Sequence, residues 1–250
     1  KIYHINIEET EIGRCLYYED VHDRTYHTVS LFADKIISAK KDEHPDINLW
    51  IIIVPDEVYE SCRSQSTIRK DLIVTKKTIT KSRAKRYLQE PSIWDELNIA
   101  STPYAFEANF HNQLKAKLLK HTLPTQIIRE STLYPYDYLN SLGTVRRDFS
   151  KIRGHMAWSI STAAFYKTGG KPWKLADIRK GVCYVGLVFK KDERSTDPRT
   201  ACCAAQMFLD SGDGFVFKGA VGPWYNSKFG DFHLKPAQAE ELIRMAIDTY

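Results

Sequence analysis

Four side chains stand out for what they could do together. His111 and Lys115 are four residues apart, so on a helix they share one face. Thr125 and Gln126 follow Pro124 a short way downstream, and Lys167 closes a long helical pattern further on. A terminal phosphate needs donors from several directions, and an imidazole, two ammonium groups and a side-chain amide supply them. The set His111, Lys115, Gln126 and Lys167, with Thr125 in a secondary role, is therefore a candidate anion pocket. Each residue also has a plainer reading. Lys115 would be solvated, Gln126 a loop residue, and Lys167 an answer to the dipole of its own helix C-terminus.

Those residues need elements to position them. A β-like start is expected to lead into a helix over residues 23–40, where Val29, Phe32, Ala33, Ile36 and Ile37 recur at helical spacing. The run 48–54 is apolar and β-branched without alternation, which predicts a strand buried on both faces of a parallel sheet. Pro55-Asp56-Glu57 then opens a helix that Asp56 can cap. Strand, tight turn and helix make the βα unit of a Rossmann-like domain. Residues 63–90 read as a long exposed basic loop. A helix over 106–121, a short strand over 123–128 and a linker over 130–145 follow. A helix over 148–167 stops at Gly169-Gly170, with Pro172 preventing continuation.

Beyond it the period changes to that of strands, at 182–189, 204–209 and 214–218, with a Gly- and Asp-rich hairpin between the last two. Pro236 opens a closing helix. Three meandering strands and a helix begin an RNase H-like domain, and the chain is expected to stop within it. Such nucleases hold metal through an Asp on the first strand and further carboxylates. Here residues 182–190 contain no acid, and Val188 stands two residues after Gly186. Asp210 and Asp213 read as turn formers, and Asp231 is the one acid between Gly219 and Gln238. The expectation is a non-catalytic domain with no catalytic residue and no metal ligand within this chain.

The remaining chemistry-bearing residues point away from catalysis. Cys202 and Cys203 are adjacent, so on a strand they face opposite ways and cannot chelate one ion. Gly169 to Trp173 lacks the phosphate-loop pattern. Trp158, Trp173 and Trp224 could stack on bases but also suit a core or an interface. Five cysteines without a C-x-x-C argue against a disulfide scaffold and a zinc ribbon, and so for a reduced, cytoplasmic setting. The 250 residues carry 43% hydrophobic and 27% charged side chains, a globular balance, with no apolar run long enough to cross a bilayer. Net charge is only +5, from 36 Lys+Arg against 31 Asp+Glu, but it is unevenly placed. Residues 63–86 hold nine Lys/Arg and one acid, and residues 111–129 hold four Lys/Arg, two His and no acid. Concentrated cation on a near-neutral chain is the footprint of a polyanion partner, or else a solvated face.

Together, His111-x-x-x-Lys115, Pro124-Thr125-Gln126 and the segment Ala164-Phe165-Tyr166-Lys167-Thr168-Gly169-Gly170-Lys171-Pro172-Trp173 resemble the MID–PIWI core of Argonaute proteins. Gly181 to Leu187, and Gln206-Met207-Phe208 through Gly212-Asp213-Gly214, look like the opening strands of its PIWI domain. The likeness is to the short prokaryotic type and runs from about residue 25 onward. It implies an α/β chain with a Rossmann-like MID domain over 1–135 and the N-terminal part of an RNase H-like PIWI domain over 136–250. By that resemblance His111, Lys115, Gln126 and Lys167 hold the 5′-phosphate of a guide RNA, and His111 also stacks on its first base. The target would be single-stranded DNA, in defence against plasmids or phages. The effector would be a partner protein with an APAZ-like domain carrying TIR, sirtuin-like or nuclease activity. Val188 in place of the first Asp agrees with an inactivated PIWI. The family also implies Mg2+ beside the 5′-phosphate, held partly by a C-terminal carboxylate outside this sequence. The competing expectations are a guided RNase H-like nuclease with displaced carboxylates, and a Rossmann-type small-ligand binder or scaffold.

Overall fold

The computed structural model describes residues 2–145, 149–171, 179–192 and 195–250. Pro172 and Trp173, both used in the resemblance, lie outside them. The chain forms two compact units, Lys1–Gly170 and Lys171–Tyr250. The expected domain boundary lies earlier, at 135/136, inside the first of these. Among the described residues no helix is long and apolar enough to cross a membrane.

The first unit begins with helix α1 (Glu9–Leu16), where a β-like start was expected. Ile12 and Leu16, four apart, are its buried residues, and the Glu11 carboxylate accepts the Glu8 N–H at 3.2 Å, closing the first turn. Helix α2 (Val21–Ser38) is capped by Asp20, which accepts the His22 N–H at 2.8 Å. Its apolar stripe, Val29, Phe32, Ala33 and Ile36, is buried as the spacing predicts.

Strand β1 (Trp50–Val54) pairs in parallel with β2 (Thr125–Arg129), Trp50 opposite Thr125 and Ile51 opposite Gln126. The flat apolar run is not buried on both faces. Trp50, Ile52 and Val54 enter the core, while Ile51 and Ile53 remain 55% and 47% exposed. Between the strands lie α3 (Asp56–Ser61), α4 (Lys81–Gln89), α5 (Asp95–Ser101) and α6 (Phe110–Leu119). The expected basic loop thus contains a helix, α4, whose Ala84 packs into a small cluster with Ile79 and Tyr104. Sequence reading missed it because Lys and Arg favour helices as well as loops, and only one residue of α4 is buried.

Asp56 does not cap α3. Pro55 occupies the cap, and the Asp56 carboxylate turns to Arg129 and to the Ser131 N–H at 3.3 Å. Burial opposes its ionisation, yet those donors hold its pKa below the usual range. α7 (Glu130–Leu133) lies within the expected linker, and α8 (Phe149–Lys167) completes the unit. α8 ends as predicted. Gly169 has φ +88°, its N–H bonds the Tyr166 carbonyl at 3.1 Å, and the Gly170 N–H bonds that of Phe165 at 2.9 Å.

In the second unit β3 (Cys183–Lys191), β4 (Ala201–Leu209) and β5 (Gly214–Gly222) form an antiparallel meander in that order, and α9 (Pro236–Thr249) follows. The chain is therefore mixed α/β, with a small parallel sheet and an antiparallel three-stranded one. Ala201, Cys203, Ala205 and Met207 alternate into the core, where Leu242 of α9 packs with Cys203 and Ala205. Cys202 faces the other way and is half-buried. The small residues follow from close approach: a Cβ on Gly219 would lie 2.3 Å from Cys203 Sγ. Gly219→Ala is accordingly expected to cost about 1–3 kcal/mol by overpacking, partly recovered by Cys203→Ala in the same chain. Thermal melts of the two variants check this, and an unchanged midpoint for Gly219→Ala would contradict the packing described.

Candidate anion site on the first unit

α6 is capped by Asn109, whose side chain accepts the Asn112 N–H at 3.0 Å. Gln113, Leu114 and Leu118 are buried, which leaves exposed His111 and half-buried Lys115 on another side of the helix. His111 Nδ1 lies 3.4 Å from Asn112 Oδ1. Among the described residues, no hydrogen bond joins His111 to the rest of the set.

The other members converge. Lys167, the last residue of α8, donates from Nζ to the Thr125 carbonyl at 2.5 Å and to Gln126 Oε1 at 2.6 Å. It therefore reaches across to β2 rather than capping its own helix, against the dipole reading. Thr125 takes part through its backbone carbonyl. In register with core-facing Trp50, it is 7% exposed. Gln126 is in register with Ile51 on the outer face, where Lys167 meets its amide. Burial lowers the pKa of Lys167, and the nearby Lys115 ammonium lowers it further. Among the described residues neither lysine has a carboxylate partner, whereas Lys117 on the same helix pairs with Asp34 at 3.1 Å.

A lysine ammonium has three protons, and Lys167 uses two. Gln126 Nε2 gives one of its two to the Ile127 carbonyl at 3.1 Å. Among the described residues one donor therefore remains on each, beside a Lys115 without an acidic partner, and an anion placed there would meet converging charge-assisted bonds. The same inventory does not suit Mg2+. A divalent cation needs free oxygen ligands, and Thr125 O and Gln126 Oε1 already accept from an ammonium.

The basic segment is partly satisfied internally. Lys77 pairs with Asp20 at 2.7 Å and Arg69 with Asp71 at 2.9 Å. Tyr59 lies against two guanidinium groups, those of Arg63 at 5.0 Å and Arg129 at 4.1 Å. α4 presents Lys81, Arg83, Lys85 and Arg86, all exposed, with both arginines near the Tyr87 ring.

In the second unit Val188 sits mid-strand on β3, opposite Ala204 and 59% exposed. The turn acids are engaged. Asp210 accepts the Gly181 N–H at 3.2 Å, and Asp213 pairs with Lys171 at 2.6 Å. Among the described residues no three His, Cys, Asp or Glu side chains gather as a metal site. Trp224 is a core residue, its Nε1 donating to the Ala220 carbonyl at 3.1 Å, while Trp158 is 62% exposed.

No protein-family model matches the chain, and no curated protein matches it significantly. Two features escaped sequence reading altogether. Arg24 is fully buried, and Asp23 beside it lines a cleft. The signal available was slight: charged residues inside a stripe whose apolar members begin only at Val29.

Proposed function

We propose that this chain is the guide-strand-binding part of a short Argonaute-type defence system. On this reading the first unit anchors the 5′-phosphate of a guide RNA, which pairs with single-stranded DNA. The second unit is a PIWI-like domain without catalytic function, and an effector partner performs the chemistry. The observation that carries the reading is the meeting of Lys167, Gln126 and the Thr125 carbonyl beside Lys115, with neither ammonium group paired to a carboxylate among the described residues. Guide recognition has to be blind to sequence, so cationic contacts to the backbone supply affinity and base pairing supplies specificity. The exposed lysines and arginines of α4 suit a backbone track of that kind.

The test is direct. Nucleic acid extracted from the purified protein is expected to be short RNA bearing a 5′-phosphate. Added 5′-phosphorylated RNA should bind more tightly than the same RNA with a 5′-hydroxyl. Equal affinity for the two ends, with no nucleic acid carried through purification, would overturn the assignment.

A further inference from the structure

A cleft of about 340 Å³ opens in the first unit between the start of α2, the segment around Thr75 and the end of α5. That volume is of the size that takes small ligands. It is separate from the residues of the anion site. Three aromatic side chains line it. Tyr18 and His27 are stacked with ring centroids 4.5 Å apart, and Tyr26 meets His27 edge-on at 5.6 Å. Asp23 also lines it. Only 9% of Asp23 is exposed, and its carboxylate makes no hydrogen bond to any described residue. The adjacent Asp20 behaves differently, being engaged by the His22 N–H and by Lys77.

The Asp23 carboxylate therefore meets only the solvent of the cleft, and a ligand that displaces that water must supply donors in its place. Its two oxygens can accept two neighbouring N–H groups at once. Burial and the neighbouring Asp20 carboxylate raise the Asp23 pKa to about 6, with Lys77 opposing them, and a cation would share the cleft with the lining Lys76 ammonium. A flat neutral group with two adjacent N–H donors suits the carboxylate and the rings, and an attached phosphate suits Lys76. Guanine presents such a pair, N1–H and the 2-amino group, on its Watson–Crick edge, and aromatic side chains stack on its face.

We propose that this cleft is a binding site for a guanine nucleotide, with Asp23 accepting from the base edge, Tyr18, Tyr26 and His27 forming the aromatic wall, and Lys76 meeting the phosphate. The inference does not depend on the guide-binding reading, because it uses other residues and a mononucleotide.

Titration of the purified chain with GMP, followed by calorimetry, tests it. GMP should bind saturably. IMP, which lacks the 2-amino group, and AMP should bind more weakly, by about 5- to 150-fold, the discrimination expected of a two-bond base contact. This comparison needs no variant. Asp23→Asn, which removes a buried charge and should keep the fold, is expected to lose the preference for GMP over IMP. Lys76→Ala should weaken GMP while leaving guanosine unchanged. Equal binding of GMP and AMP, an undiminished preference in Asp23→Asn, or tighter binding of free arginine than of GMP would each overturn the proposal.

Discussion

Arg24→Met is expected to destabilise the first unit by about 3–5 kcal/mol, among the largest effects a single substitution produces. The Arg24 side chain is fully buried and, among the described residues, has no carboxylate partner. Its guanidinium instead serves acceptors from two separate segments, 18–19 and 61–66. Nε donates to Ser61 O at 2.9 Å, Nη1 to Tyr18 O at 2.7 Å and Glu19 O at 3.3 Å, and Nη2 to Ser66 O and Oγ at 3.2 Å. Methionine fills similar volume but removes the donors from those part-buried acceptors, among whose carbonyls only Ser61 O keeps another from the described residues, the Ser66 hydroxyl. The cost is about 1–3 kcal/mol for each one that water cannot reach. Lysine preserves the charge but not the planar fork, so Arg24→Lys should recover only part of the loss. Urea unfolding distinguishes the cases through the midpoint at unchanged slope. A loss below about 1 kcal/mol for Arg24→Met would show that the loop from Ser61 to Ser66 is held by other means.

The second large effect concerns recognition. Lys167→Ala should weaken binding of 5′-phosphorylated RNA by about 10- to 100-fold and of 5′-hydroxyl RNA by far less. It should also lower the salt slope by about one unit. Because Lys167 also ties α8 to β2, lost affinity could arise from a loosened helix. Lys115→Ala separates the causes, since Lys115 anchors nothing among the described residues, and should impair phosphate discrimination with an unchanged melting temperature. Equal weakening toward both RNA ends in both variants would place these lysines on the general backbone.

A pH dependence accompanies this. The Lys167 pKa is lowered by burial and by Lys115. A bound phosphate dianion opposes both effects and favours the protonated form, so binding takes up protons. Affinity should fall as pH rises through the lowered pKa, beneath the ordinary lysine value of 10.5, and Lys167→Ala should be flat there. Stability runs the other way. The unfolded lysine keeps its proton to higher pH than the folded one. Folding is therefore penalised at low pH, and the penalty is relieved as pH climbs through that window.

What was legible in the sequence, and what was not, follows from which force decides each element. α2 was legible because its apolar stripe from Val29 to Ile36 is buried, although its first turns bury Asp23, Arg24, Thr25 and Thr28 instead. The end of α8 was legible because a left-handed residue at that position calls for glycine, and Gly169 adopts it. The 210–213 turn was legible for the same reason, with Gly212 at φ +87°. α4 was not, because one buried alanine leaves no periodic signal. The outer face of β1 was misread because Ile51 and Ile53 are apolar yet exposed, and composition alone does not tell a covered face from an open one. In the candidate site, spacing brought Lys115 and His111 to one side of α6. It did not indicate that Lys167 would reach the Thr125 carbonyl and the Gln126 amide, since that depends on how α8 packs on β2. Nor did it separate Asp56 as a cap from Asp56 as the partner of Arg129. Both acts satisfy a carboxylate at a helix start, and only the tertiary fold chooses between them.

The parallel pairing of β1 with β2 also governs the order in which the molecule is made. The ion pair between Asp56 and Arg129, at the downstream end of the two strands, joins residues 73 apart in the chain. Such closure is slow relative to the helices that form between them, since their contacts are local and its entropy cost comes before any reward. On the ribosome β1 emerges before β2 and waits, apolar on both sides, until β2 has been synthesised. During that interval Ile52, buried in the finished fold, is open alongside Ile51 and Ile53, and the strand presents a continuous apolar run that a chaperone can hold.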